Sequence, residues 1–228
     1  MKAVKKDRGN PGKEERGAMK ELFKQYRICA ILRNIPSGCF LDYAEALYHG
    51  GIRLFEVALN SESAGEQIRM LREKFDGHAW VGAGTVTTKQ RCLVAKEAGA
   101  QFFLTPSVSE NTLKFCRENH LLLLPGVMTP SDVAFCLEYG YQALKLFPAG
   151  AFPLTYIKNL KGPFDNTEYV AVGGVSPQDI GKYFKAGYIG VGIGSNLAPA
   201  EYIRGRQWEK VEKHVKGLMA GIEATAKG

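Results

Sequence analysis

Residues 79–104 read AWVGAGTVTTKQRCLVAKEAGAQFFL. An apolar run (79–84) leads into a segment with helical spacing between Thr87 and Gly99, and a second apolar run (101–104) follows. Threonine favours the start of a helix and glycine its end. The stretch is therefore one strand–helix–strand unit.

The same unit recurs in both directions. Short apolar runs that read as strands lie near 28–33, 53–58, 79–84, 101–104, 121–125, 142–147, 168–173 and 188–193. Helical spacing fills segments between them, for example 61–74, 87–98, 109–119, 129–139 and 176–186. Thr129 to Gly140 and Ser176 to Gly187 repeat the Thr87-to-Gly99 punctuation. Strands alternating with helices predict an α/β fold with a parallel sheet. Eight such units over about 200 residues fit a (β/α)8 TIM barrel. An open doubly wound sheet is the alternative, but no G-x-G-x-x-G follows the first strand. An extra N-terminal helix from about 13 to 26 is expected before the barrel, and a helix from about 200 to 224 after it. Residues 1–20 carry seven Lys or Arg against three Asp or Glu, within a chain of net charge +7. The organisation expected is a basic flexible tail at 1–18 and a single barrel domain at 19–228.

Composition narrows the function classes. No apolar run is long enough to span a bilayer, and no secretory signal pattern opens the chain, so neither a membrane nor export is expected. The tail has no interleaved aromatics and no recognised nucleic-acid motif, which argues against a nucleic-acid partner. Five cysteines form no C-x-x-C pair and fit a reducing cytoplasm. The four histidines lie far apart, so no protein-bound metal is expected; no cofactor is expected either.

Barrel chemistry sits at the C-terminal ends of strands, so polar residues interrupting the ends of apolar strands are the candidates. Lys145 stands in QALKLFPAG (142–150) between two leucines. Alternation puts Ala143, Lys145 and Phe147 on one face and the leucines on the other. If the leucines pack on helices, the lysine points into the barrel. Desolvation lowers an amine's pKa, and only the neutral amine attacks a carbonyl. Moving from about 10.4 to about 7 takes roughly 4 to 5 kcal/mol. A lysine that snorkels to water, or pairs with a structural carboxylate, gives the same pattern. Glu56 interrupts RLFEVALNS (53–61) with the same parity. It could shuttle protons across the lumen or simply form an ion pair with Lys145 or Arg33. Arg33 ends the first strand, placed for an anion or for the surface. Gly-rich pieces end strands three (81–85), seven (171–175) and eight (192–195). Loops after the last two strands often bind phosphate, although glycines also serve tight turns.

Taken together, AILR (30–33), FEVALNS (55–61), VGAGTV (81–86), TPS (105–107), LLPGVMTP (123–130), ALKLFPA (143–149), AVGGV (171–175) and GIGS (192–195) resemble the 2-keto-3-deoxy-6-phosphogluconate / 4-hydroxy-2-oxoglutarate aldolase family. The resemblance implies a metal-free class I aldolase, usually a homotrimer. It implies that Lys145 is the Schiff-base lysine and Glu56 the acid/base. By the same resemblance Thr85 holds the pyruvyl carboxylate and Arg33 binds substrate. Gly174, Gly194 and Ser195 match phosphate-end positions, and Phe147 and Pro125 match residues lining the site. Two positions depart from the phosphogluconate branch: Asn60, expected to bind substrate, stands in place of an arginine, and Val172 replaces a threonine. Both look like the 2-dehydro-3-deoxy-6-phosphogalactonate branch. A sugar-phosphate isomerase or epimerase on the same barrel is a competing reading, and so is a non-enzymatic metabolite-binding role.

Overall fold

The computed structural model describes residues 11–61 and 63–226. Every run read as a strand pairs in parallel with its neighbours. The strands are β1 (Ile28–Leu32), β2 (Leu54–Ala58), β3 (Trp80–Gly84), β4 (Phe102–Leu104), β5 (Leu123–Leu124), β6 (Gly126–Val127), β7 (Ala143–Leu146), β8 (Glu168–Val172) and β9 (Gly190–Ile193). Their order across the sheet is β5-β4-β3-β2-β1-β9-β8-β7-β6. The two edge strands are therefore successive pieces of one run, 123–127, interrupted at Pro125. A sheet whose edges meet within one run has curled into a barrel. Proline has no N–H for the ladder, so the fifth expected strand splits into two short ones. Its carbonyl still accepts from the Lys145 backbone N–H at 2.8 Å. The buried Thr105 hydroxyl accepts from Gly126 N–H at 2.9 Å and ties the kink to β4.

The helices are α1 (Pro11–Tyr26), α2 (Phe40–His49), α3 (Ala64–Lys74), α4 (Lys89–Glu97), α5 (Glu110–Glu118), α6 (Pro130–Glu138), α7 (Tyr156–Lys161), α8 (Ile180–Ala186), α9 (Ala200–Arg204) and α10 (Trp208–Ala226). Thr129 caps α6 with a reciprocal capping box to Asp132. Gly187 closes α8 in the left-handed region, φ 102°. Ser176 does not cap α8. Its hydroxyl donates to Asp179 instead, and a short 3-10 turn (Pro177–Asp179) precedes the helix. One expectation changes. The helix expected over 200–224 is two helices, because the chain turns at Gly205 and Arg206, the latter at φ 48°. The helix expected from about 13 to 26 spans Pro11–Tyr26, and residues 1–10 of the expected tail lie outside the described residues.

Strand alternation sorts the core into two layers. Phe55, Val57, Leu144 and Leu146 pack between sheet and helices. Cys29, Leu54, Phe102, Leu104, Leu124, Ala143, Val170 and Val172 fill the barrel. Met19, Leu22 and Phe23 of α1 join this inner group. Phe23 is fully buried, and a Cβ on Gly190, the first residue of β9, would lie 2.6 Å from its ring. Burying such a ring stabilises by about 1.5–3 kcal/mol. The helix α1 thus plugs the end where strands begin, and the opposite end stays open.

Candidate active site

The open end holds a cleft of about 930 Å³, lined by the ends of strands and the loops that follow them. Lys145 and Glu56 form its floor. Lys145 is the third residue of β7, and Glu56 the third residue of β2, in register with Gly82 on β3. Only 4% of Lys145 and 1% of Glu56 is exposed. The parity read from the leucines and from Phe55 and Val57 is what turns both charges inward.

Room for the carboxylate comes from glycine. A Cβ on Gly84 would lie 1.6 Å from Glu56 Oε1, and a Cβ on Gly82 would lie 2.4 Å from the Phe102 ring. These two glycines of the 81–85 piece are strand residues that face the lumen, rather than parts of an anion-binding loop. Glu56 Oε2 is buried with no hydrogen-bond partner among the described residues. The Lys145 ammonium sits 4.9 Å from the centre of the Phe147 ring. Burial pushes the Glu56 carboxyl above its ordinary range, opposed by the charges of Lys145 and Arg33. Burial likewise pulls the Lys145 amine below its ordinary range, opposed by Glu56 and Cys29 and reinforced by Arg33. Both groups are shifted toward their neutral forms, the direction in which an amine gains nucleophilicity and a carboxyl becomes able to give or take a proton.

Thr85 follows β3 in the left-handed region, φ 59°. A β-branched residue there stores about 1–3 kcal/mol of strain. The conformation is held by its carbonyl, which accepts from Arg91 Nη1 at 3.0 Å and from Thr87 N–H at 3.0 Å. Its side chain lines the cleft, as do Arg33, Phe147, Gly174, Gly194 and Ser195. Gly173 and Gly174 take φ 85° and 74°. They pass so close to Gly150 that a Cβ there would lie 2.7 Å from the Gly174 carbonyl oxygen. Asn196 Nδ2 donates to Val175 O at 3.1 Å, tying the loop after β9 to the loop after β8.

Two expected site residues are not among those lining the cleft. Asn60 is exposed in the turn after β2. Pro125 is buried beneath the floor, where its carbonyl holds the Lys145 backbone. Conversely, Arg204 and Arg206 line the cleft and were not singled out from the sequence. The available signal was Arg-Gly-Arg (204–206), a glycine between cations inside a segment read as continuous helix. Among the described residues no group of His, Cys, Asp or Glu could hold a metal ion, and no helix is long and apolar enough to cross a membrane.

A parallel barrel with a buried amine and carboxyl at the strand ends suits an enzyme that makes or breaks bonds next to a carbonyl. Comparisons with known proteins narrow this class. The family model described as KDPG and KHG aldolase matches residues 19–214. The KHG/KDPG aldolase of Escherichia coli K12 is 33% identical over 181 residues, which cover 79% of this chain and 84% of that protein. The 2-dehydro-3-deoxy-6-phosphogalactonate aldolase of the same strain is 31% identical over 198 residues, 86% of this chain and 96% of that one. Among solved structures, the KDPG aldolase of Legionella pneumophila, with pyruvate captured as a covalent carbinolamine, superposes with a TM-score of 0.80 at 26% identity, covering 93% of this chain and 99% of that one. The chain belongs to the KDPG and KHG aldolase family of carbon–carbon lyases.

Proposed function

We propose that this aldolase works through a Schiff base on Lys145 and cleaves a 2-keto-3-deoxy-6-phosphohexonate to pyruvate and glyceraldehyde 3-phosphate. The observation that carries the reading is the buried Lys145/Glu56 pair on the cleft floor, with Glu56 Oε2 left without a hydrogen-bond partner among the described residues. The neutral amine attacks the C2 ketone, and loss of water from the carbinolamine leaves an iminium. Glu56, acting through water, takes the proton of the C4 hydroxyl. The C3–C4 bonding electrons then flow into the iminium, giving an enamine and the free aldehyde. Protonation of C3 and hydrolysis release pyruvate and restore the amine. Thr85 at the end of β3 is proposed to hold the pyruvyl carboxylate, and Arg33 to bind the anionic substrate. Phe147 shields one side of the amine. Gly174, Gly194 and Ser195 present the loops after β8 and β9 to the phosphoryl end.

Captured carbinolamine in the Legionella relative supports the covalent route. Trapping with borohydride in the presence of pyruvate tests it. A stable adduct on Lys145 is expected; no adduct, or full activity in Lys145→Ala, refutes it. Asn60 and Val172 favour a second reading at one centre, the C4-epimeric phosphogalactonate substrate. A comparison of kcat/KM for the two epimers decides between them. A homotrimer in the cytoplasm is the assembly proposed, and light scattering measures it.

A further inference from the structure

Away from the cleft, the fold brings two cysteines into contact. Cys92 lies in α4 and Cys116 in α5, and both are fully buried. Their sulfurs stand 3.8 Å apart, at a sequence separation of 24. Two sulfurs at that distance touch, so a small rotation of each side chain is enough to bond them. Both thiols are free, which makes them the reduced half of a dithiol/disulfide couple. A groove of about 360 Å³ between the same helices is lined by Thr88 and Lys89, one turn before Cys92, and by Phe115, beside Cys116. It brings solvent to within a helical turn of each thiol. The hydrogen bond with Cys116 pulls the Cys92 thiol below its ordinary range, while that bond and burial push Cys116 up. Cys92 is therefore the nucleophile of the pair. The residue before it links the pair to the cleft. Arg91 Nη1 donates to the Thr85 carbonyl at 3.0 Å and to the Thr87 hydroxyl at 3.1 Å. A shift of α4 moves the clamp that holds Thr85 in its left-handed conformation.

We infer that Cys92 and Cys116 are a modification site, joined in a reversible disulfide when the protein meets hydrogen peroxide, and that the bond loosens Thr85 and slows the enzyme. The Cys92 thiolate attacks one peroxide oxygen. The O–O bond breaks, a sulfenic acid forms on Cys92, and hydroxide leaves and takes up the proton that Cys92 released. The Cys116 sulfur then attacks the sulfenic sulfur. The S–S bond forms, the S–O bond breaks, and the second hydroxide leaves as water with the Cys116 proton. Both sulfurs are oxidised and one peroxide is reduced to two waters. A small thiol reductant reverses the step. Peroxide suits the place because larger oxidants do not reach two fully buried thiols. The helix α4 spans nine residues, so a covalent tie at Cys92 carries Arg91 with it. A β-branched residue at positive φ relaxes once its clamp moves. The effect at Thr85 rests on the proposed aldolase reading; the bond itself does not.

The test treats the folded wild-type protein with hydrogen peroxide, desalts it, alkylates the remaining thiols and digests it with trypsin without reduction. Cleavage after Arg91, Lys96, Lys114 and Arg117 frees CLVAK (92–96) and FCR (115–117). Mass spectrometry is expected to find these two peptides joined with loss of two hydrogens, and the five free thiols are expected to fall by two. Peptides that stay separate, or Cys92 driven to an unjoined sulfinic acid, overturn the site. On the same desalted sample, kcat/KM for aldol cleavage is expected to fall about tenfold and to return with dithiothreitol. Cys92→Ala and Cys116→Ala are expected to cleave substrate like untreated wild type and to ignore peroxide. A joined protein with unchanged kcat/KM overturns the link to Thr85, and so does an equal loss in the two variants. The peptide map uses wild-type protein, so it decides the site even if a variant fails to fold. Failure of the Lys145 adduct in untreated wild type defeats the aldolase reading and leaves the peptide map intact, so the two failures are distinguishable.

Discussion

Gly84→Ala is the substitution that most sharply tests why the floor is built as it is. The added methyl stands 1.6 Å from Glu56 Oε1, 2.3 Å from Cδ and 2.8 Å from Cγ. Ordinary contact between such atoms is about 3.5 Å, so the carboxylate must retreat by roughly 2 Å. It has little freedom to do so, because the residue is 1% exposed and one of its oxygens is already buried without a partner. Misplacement by about 1 Å costs a catalytic group on the order of 100-fold, and general acid–base catalysis in all contributes about 10²–10⁴-fold. The expected loss in kcat is therefore about 10²–10⁴-fold, or roughly 3–5 kcal/mol of transition-state stabilisation. Overpacking the lumen should also destabilise the fold by about 1–3 kcal/mol.

The assay is a double-mutant cycle with Glu56→Ala. Steady-state pyruvate release gives kcat, and chemical denaturation gives stability. If the methyl acts only by displacing the carboxylate, Gly84→Ala changes kcat by less than about threefold when Glu56 is already truncated, and its stability cost shrinks toward zero. Gly84→Ala with near-normal turnover sinks the argument. So does a loss of equal size in both backgrounds, since the methyl would then be acting on something other than Glu56.

Other predictions follow from the same geometry. Burial lowers the Lys145 amine and Glu56 opposes that shift, so Glu56→Gln should move the pH midpoint of borohydride-trapped pyruvate adduct formation downward; an upward move contradicts the assigned sign. Glu56→Gln combined with Lys145→Met removes two buried ionisable groups together, and should abolish cleavage while matching or exceeding wild-type stability at neutral pH, by as much as about 1–4 kcal/mol in denaturant unfolding. Lys145→Met alone, which leaves Glu56 without its opposing charge, should be less stable than that pair. Phe23→Ala empties the plug at the far end of the barrel and should cost about 3–5 kcal/mol, lowering Tm by roughly 6–20 °C at about 2–4 °C per kcal/mol, with kcat/KM nearly unchanged below the transition.

The charged pair was legible in the sequence because its signal is local. Period-two alternation fixes the direction of Lys145 once Leu144 and Leu146 are assigned to the helix layer, and Glu56 follows from Phe55 and Val57 in the same way. Gly82 and Gly84 were not legible. Their purpose depends on Phe102 one strand over and on the length of a glutamate side chain, neither of which a glycine announces. The split of the fifth strand could be anticipated only from Pro125, whose missing N–H interrupts the ladder while its carbonyl stays in it. Arg204 and Arg206 were hidden for a different reason: apolar periodicity continues across 200–224, and a positive φ at an arginine leaves no mark on that periodicity. The pattern is physical. Side-chain direction within a strand is set by the chain's own geometry, so it can be read from one segment. Space for a charge, or a lip closed by a turn, is set by what another segment brings near. In this barrel the inward direction of Lys145 belongs to the first kind of information, while the room for Glu56 and the arginines lining the cleft belong to the second.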